Sequence, residues 1–235
     1  MLLKNGDRFL IIGDSITDAG RHRMDDARGI DRIRSLRERL VAWYLGRSHD
    51  PEGLGFGYVR ILHDLLWVKY PELLIEIVNR GIGGDTIRHL EARWDRDVID
   101  IEPDVLAISI GVNDVWRQLQ EPCNPEEVLL EEFEATYRRL LVKIREKVGC
   151  SLVLCETSII GEQVDTPHNV ILKGYNACIA RLAEEFNALL VPMNQAFWRV
   201  IGADPSRVWT QDGVHPLSHG HMLMAETMLS VLEKA

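Results

Sequence analysis

The chain has 235 residues, 46% hydrophobic and 27% charged, with a formal net charge of −9 and a pI near 5.4. This is an ordinary globular composition, long enough to bury a sizeable core, and one domain over residues 1–235 is the default reading. The acidic balance argues against a nucleic-acid partner, which needs a basic footprint. No apolar run approaches the roughly 20 residues of a membrane span, and the N-terminus lacks the basic and long apolar stretches of a secretory signal. No membrane partner and a cytoplasmic protein are therefore expected. The four cysteines, Cys123, Cys150, Cys155 and Cys178, form no CxxC pair and read as reduced, packed thiols.

In chain order, residues 9–12 form a short apolar run ending at Gly13, the pattern of a buried strand feeding a loop. Ile33, Leu36, Leu40 and Tyr44 predict a helix over 31–47. Arg28, Arg32, Arg34, Arg37 and Arg39 read as a solvated helix face. Residues 58–67 predict another helix, stopped near Pro71, and 73–78 a second strand leading to a turn at Gly81, Gly83 and Gly84. Residues 87–98 read as helical and 105–110 as a third strand entering a loop at Gly111. Pro125 opens an amphipathic helix to about residue 148, with Glu126 and Glu127 in the first turn, where the helix dipole favours acids. A fourth strand at 152–155, a helix at 170–186, a fifth strand at 189–193 and a helix from Leu217 complete the pattern. Short strands, apolar on both faces and alternating with helices, predict an α/β fold: a parallel sheet covered on both sides, in three layers. In such sheets the site lies beyond the carboxyl ends of the strands.

The polar motifs sit at those ends. Gly13-Asp14-Ser15-Ile16-Thr17 follows strand one and could present the Ser15 hydroxyl to a cleft, although Asp14 and Ser15 are equally good helix caps. An alcohol nucleophile needs an adjacent base. Asp212-Gly213-Val214-His215-Pro216 supplies an imidazole with a carboxylate three residues away, able to orient it and stabilise its protonated form. Acyl transfer also needs donors for the developing oxyanion. Gly84 could bring its backbone N–H close to the reacting carbonyl, Asn113 in Gly111-Val112-Asn113-Asp114 offers a side-chain amide, and the Ser15 N–H is a third candidate.

The four blocks GDSIT, NRGIGGDT, GVND and DGVHP, in that order along nearly the whole chain, resemble the signature of the SGNH hydrolases, also called GDSL lipases/esterases. The resemblance implies a single SGNH hydrolase domain with a flavodoxin-like α/β/α sandwich on a five-stranded parallel sheet. It implies no metal or other cofactor, Ser15 as nucleophile, Ser15, Gly84 and Asn113 as oxyanion donors, and Asp212 and His215 completing the triad. Gly55-Phe56-Gly57-Tyr58-Val59, Ala92-Arg93-Trp94 with Asp97-Val98, and Asn113-Asp114-Val115-Trp116-Arg117 are similar to intracellular bacterial acetylxylan esterases of that family. Those enzymes deacetylate xylo-oligosaccharides and some form homo-oligomers. A small acylated substrate, a sugar ester, is the partner this implies. The Arg/Leu-rich segment 21–50 departs from those enzymes and would reshape the pocket or the subunit contacts.

Trp94, Trp116 and Trp209 lie in or near the motif loops and could stack on sugar rings or simply pack. Asp14, beside the nucleophile, is a further candidate substrate contact. Alternatives are a thioesterase or lysophospholipase acting on another small acyl ester and a non-catalytic carbohydrate-binding protein. A further one is a metallophosphoesterase using Asp14, Asp18, Asn113, Asp114 and His215. Against the last, His219 and His221 read as the start of the final helix.

Overall fold

Apolar runs with no polar face must be covered on both sides, and strands of a parallel sheet between two helical layers meet that demand. In the computed structural model, which describes residues 1–21, 53–120, 124 and 126–235, they do so as β1 (Arg8–Gly13), β2 (Glu76–Gly81), β3 (Val105–Ser109), β4 (Ser151–Cys155) and β5 (Leu189–Val191). The sheet order is β2-β1-β3-β4-β5 and every pairing is parallel. Phe9 to Ile12 of β1 have no exposed surface. Among the described residues the α-helices are α1 (Ser15–Asp18), α2 (Tyr58–Lys69), α3 (Ile87–Trp94), α4 (Val112–Trp116), α5 (Leu130–Lys147), α6 (Pro167–Glu185), α7 (Met193–Ala203) and α8 (Ser218–Lys234). They pack in two groups, α2 with α8 and α7, and α3 with α5 and α6, one on each face of the sheet. Among the described residues no helix is long and apolar enough to cross a membrane.

From β1 the chain crosses to β2 on one side and then to β3 on the other. Loops leaving β1 and β3 therefore diverge, and a crevice opens between them at the carboxyl edge. Ser15 and Asn113 emerge there because each lies just past the end of one of these two strands.

The structure shifts several predicted boundaries. The second strand begins at Glu76 rather than Leu73, because its register is set by β1: Glu76 pairs with Arg8, and their side chains form an ion pair at 2.8 Å. The α5 helix begins at Leu130, so Glu126 and Glu127 precede it and Glu131 and Glu132 occupy its first turn. Val128 is buried, and its carbonyl accepts bonds from Gln118 Nε2 at 2.9 Å and Tyr175 Oη at 2.5 Å. Tertiary bonds thus take the acceptor that a longer helix would use. Pro192 cannot donate to the ladder, so β5 stops at Val191 and Met193 opens α7, a helix the sequence pattern did not suggest. Residues 95–99 close α3 with a wider π-type turn. The helix predicted over 31–47, the arginines at 28–39, Pro125, Cys123 and nearly all of the 21–50 segment lie outside the described residues.

Candidate active site

The turn that carries Ser15 is built from its own polar side chains. Asp14 caps α1, its Oδ1 accepting from the Ile16 N–H at 2.9 Å. Ser15 is therefore the first residue of a one-turn helix, with its hydroxyl at the crevice. The turn is clamped from both sides: Thr17 Oγ1 hydrogen-bonds Tyr58 Oη at 2.9 Å, and Asn79 Nδ2 donates to the Thr17 and Leu54 carbonyls at 2.7 and 2.9 Å. The fit is close enough that a Cβ on Gly81 would stand 2.2 Å from the Asp18 backbone nitrogen.

The last loop meets this turn. Ser15 Oγ lies 2.8 Å from His215 Nε2, and His215 Nδ1 lies 2.7 Å from Asp212 Oδ2. With Nδ1 donating to the carboxylate, Nε2 is left as the acceptor of the serine proton. Asp212 Oδ1 also accepts from the His215 and Val214 backbone N–H groups at 2.8 and 3.0 Å. Partial burial would raise the Asp212 carboxyl, but these bonds outweigh it and hold the group below its ordinary range.

Opposite lies the loop after β2. Its Gly84 has φ of +83°, a conformation that favours glycine. A Cβ there would meet nothing nearer than Arg117 Nη2 at 3.6 Å, so backbone conformation rather than crowding within the protein requires the glycine. Gly83 donates its N–H to Asp18 Oδ2 at 3.1 Å, and Arg117 Nη2 donates to the Gly84 carbonyl at 2.6 Å. Asn113 Nδ2 spends one hydrogen on the Asp85 carbonyl at 2.9 Å, which aims the other. The backbone N–H groups of Ser15 and Gly84 have no backbone acceptor among the described residues.

The model of the GDSL-like Lipase/Acylhydrolase family matches residues 11–223. The chain belongs to the GDSL-like lipase/acylhydrolase family. This member is a serine-type carboxylic ester hydrolase. It is 37% identical, over 236 aligned residues, to the acetylxylan esterase of Geobacillus stearothermophilus, covering 97% of this chain and 95% of that one. The crystal structure of Axe2, an acetylxylan esterase from the same organism, matches with a TM-score of 0.83 at 35% identity, over 99% of this chain and 96% of that one. An α/β-hydrolase enzyme from the metagenome of Lake Arreo, Spain, matches with a TM-score of 0.83 at 31% identity, over 99% and 98% of the chains.

Not every residue singled out from the sequence reaches the site of this GDSL-like hydrolase. Trp94 is corrected to a core residue: it ends α3, is 1% exposed and offers no face to a ligand. Asp14 is likewise buried, its carboxylate turned back on the Ile16 N–H, so it is a helix cap rather than a substrate contact. Trp116 is half-buried against the core, and Trp209 is half-buried with Phe197 and His219 packed edge-on to it. A pocket of about 440 Å³ beside Ser15 and His215 is lined instead by Ile16, Phe56, Leu217 and His221. Phe56 is the exposed aromatic there, 54% accessible. His221 Nδ1 accepts from the Tyr58 N–H at 3.1 Å, and burial, with His215 nearby, pushes the ring down to about 4. It is therefore a neutral imidazole at physiological pH. His219 and His221 do lie in the first turn of α8. Among the described residues no three His, Cys, Asp or Glu side chains stand where they could share a metal ion.

One residue of the site was missed. Glu162 Oε1 accepts from the Trp209 and Thr210 N–H groups, each at 2.8 Å, and from Thr210 Oγ1 at 2.9 Å. It pins the loop that carries Asp212 and His215. The signal was its position in the loop after β4, which the strand-end rule covers as well as the loops after β1 and β3.

Proposed function

We propose that the chain removes acetyl groups from xylo-oligosaccharides through an acyl-enzyme on Ser15. The observation that carries this reading is the continuous row from Ser15 Oγ through His215 to Asp212, at 2.8 and 2.7 Å. Ser15 attacks the ester carbonyl as its proton passes to His215 Nε2, while Asp212 stabilises the imidazolium without taking the proton. The Ser15 and Gly84 N–H groups and Asn113 Nδ2 hold the tetrahedral oxyanion. His215 gives its proton to the leaving sugar oxygen, and the ester C–O bond breaks. Water, deprotonated by the same imidazole, then attacks the acyl-enzyme; acetate leaves and Ser15 regains its proton. The acetyl and sugar assignments are supported by the 37% identity to an acetylxylan esterase and by the exposed Phe56 at the pocket. A cytoplasmic setting belongs to this reading, supported by Cys150, Cys155 and Cys178 as buried free thiols.

The test is turnover of acetylated xylo-oligosaccharides and of p-nitrophenyl acetate, butyrate and octanoate. Acetyl esters are expected to be hydrolysed fastest, and Ser15→Ala to lose about six orders of magnitude in kcat, as triad deletions do. Near-normal turnover in that variant would remove the mechanism. A preference for octanoate would leave the mechanism standing and replace the substrate.

A further inference from the structure

Arg93 ties together the loops that carry the nucleophile and the oxyanion donors. It is buried on α3, 8% exposed. Its Nε donates to Asp85 Oδ2 at 2.8 Å, Nη1 to the Arg80 carbonyl at 2.8 Å and Asp97 Oδ2 at 2.9 Å, and Nη2 to the Gly13 carbonyl at 3.1 Å. Gly13 ends β1, two residues before Ser15, and Arg80 lies near the end of β2. Asp85 directly follows Gly84, and its own carbonyl orients Asn113 Nδ2 at 2.9 Å. One planar group is thus bonded to the ends of two strands and to the turn that carries the Gly84 donor and orients the Asn113 one.

A buried cation placed only for charge balance would be satisfied by carboxylates. Arg93 has two, Asp85 and Asp97, and Asp97 is also paired with Arg96. Its remaining bonds go to main-chain carbonyls, which need no counter-charge and which mark where strands become site loops. The rigid fork of a guanidinium can serve these directions at once, whereas a lysine ammonium on a flexible stem cannot.

We infer that Arg93 is a positioning residue for the ester hydrolysis proposed above: it sets the separation of the Gly13–Ser15 and Gly84–Asp85 turns so that the Ser15, Gly84 and Asn113 donors converge on one oxyanion. It acts through those groups. Such donors act chiefly on the transition state, so loosening them lowers kcat and leaves KM nearly unchanged.

The experiment is a double-mutant cycle on p-nitrophenyl acetate between Arg93→Lys and Asn113→Ala, with thermal melts of every variant. Arg93→Lys alone is expected to lower kcat roughly ten- to hundredfold, less than the loss of a whole donor, with KM within about threefold. In the Asn113→Ala background the same change should cost less than about threefold, because part of what Arg93 positions is already gone. Asp97→Asn, which keeps the bonds to Gly13, Arg80 and Asp85, should lower Tm but hold kcat within about threefold. Should Arg93→Lys not fold, Asp85→Asn weakens the same tie while keeping the carbonyl that holds Asn113, and takes its place in the cycle. Fully multiplicative losses, an effect confined to KM, or an Asp97→Asn loss as large as that of Arg93→Lys would overturn the inference. Those outcomes leave the esterase reading intact. Normal turnover in Asn113→Ala would instead overturn the oxyanion assignment, and this role of Arg93 with it.

Discussion

The site has an inner half, on the loops after β1, β2 and β3, and an outer half, on the loop 209–217. Both contain aspartates, and their surroundings drive them in opposite directions. Asp14 and Asp114 are buried, each capping a short stretch of backbone, and burial pushes both up to about 7. Asp14 is raised further by Asp114 and Asp85. Asp212, with its side chain 43% exposed, accepts three hydrogen bonds from the His215 loop and is held below its usual range. The inner carboxyls can be neutral and still serve as caps, since an N–H needs only an oxygen. In the proposed mechanism the outer one must be charged, because it stabilises an imidazolium. Identical side chains are thus divided between architecture and chemistry: burial raises the inner pair, while hydrogen bonds from the His215 loop outweigh partial burial at Asp212.

The sharpest way to break this contrast is Asp212→Asn. The amide can present its NH2 to His215 Nδ1 and so favour the wrong tautomer, and kcat is expected to fall about four orders of magnitude. Steady-state kinetics on p-nitrophenyl acetate will measure it, and a loss under tenfold would mean that Asp212 does not support the imidazole. In the inner half, Asn113→Ala removes one of the proposed oxyanion donors, so a hundred- to thousandfold loss is expected in the same assay.

Anchorage of the outer loop is sharpened by Glu162→Ala. It leaves the Trp209 and Thr210 N–H groups without their acceptor, which should cost about 2 kcal/mol and lower Tm by roughly 4–8 °C. Turnover should drop roughly tenfold, since His215 is loosened but present. Calorimetry and kinetics on one preparation test both parts.

The smallest effect is a slope. Asp114 has a folded-state value near 7 against 3.8 ordinarily, so the folded chain holds a proton that the unfolded chain has released. Its contribution is complete below about pH 4 and is lost as pH rises through 7. Asp114→Asn should therefore gain stability relative to the unmodified chain between pH 5 and pH 8 in urea melts. The Asn oxygen can keep the bond from the Ile87 N–H, and Asp114 Oδ2 has no hydrogen-bond partner to lose among the described residues. A gap constant with pH would show that Asp114 is ionised throughout.

Much of this was legible in the residues themselves. Runs such as 9–12 and 105–108 are apolar at successive positions, the pattern of a doubly covered strand, so strand type and layer order followed from local pattern. Ser15 and Asn113 were legible as candidates because an alcohol and an amide sit just past the ends of strands, and Asp212 and His215 because a carboxylate stands three residues from an imidazole in one loop. What tertiary structure alone decided were the relations across the sequence. It set the three-residue shift of β2 onto Glu76, the burial of Trp94, and the turn of the Asp14 carboxylate onto its own helix. It also brought the Glu162 anchor and the Arg93 bonds to Gly13 and Asp85 into place. Sequence pattern records what each residue prefers within a few neighbours. Burial and hydrogen-bond partners depend on which distant segments arrive beside it, and those are settled only when the whole chain has packed.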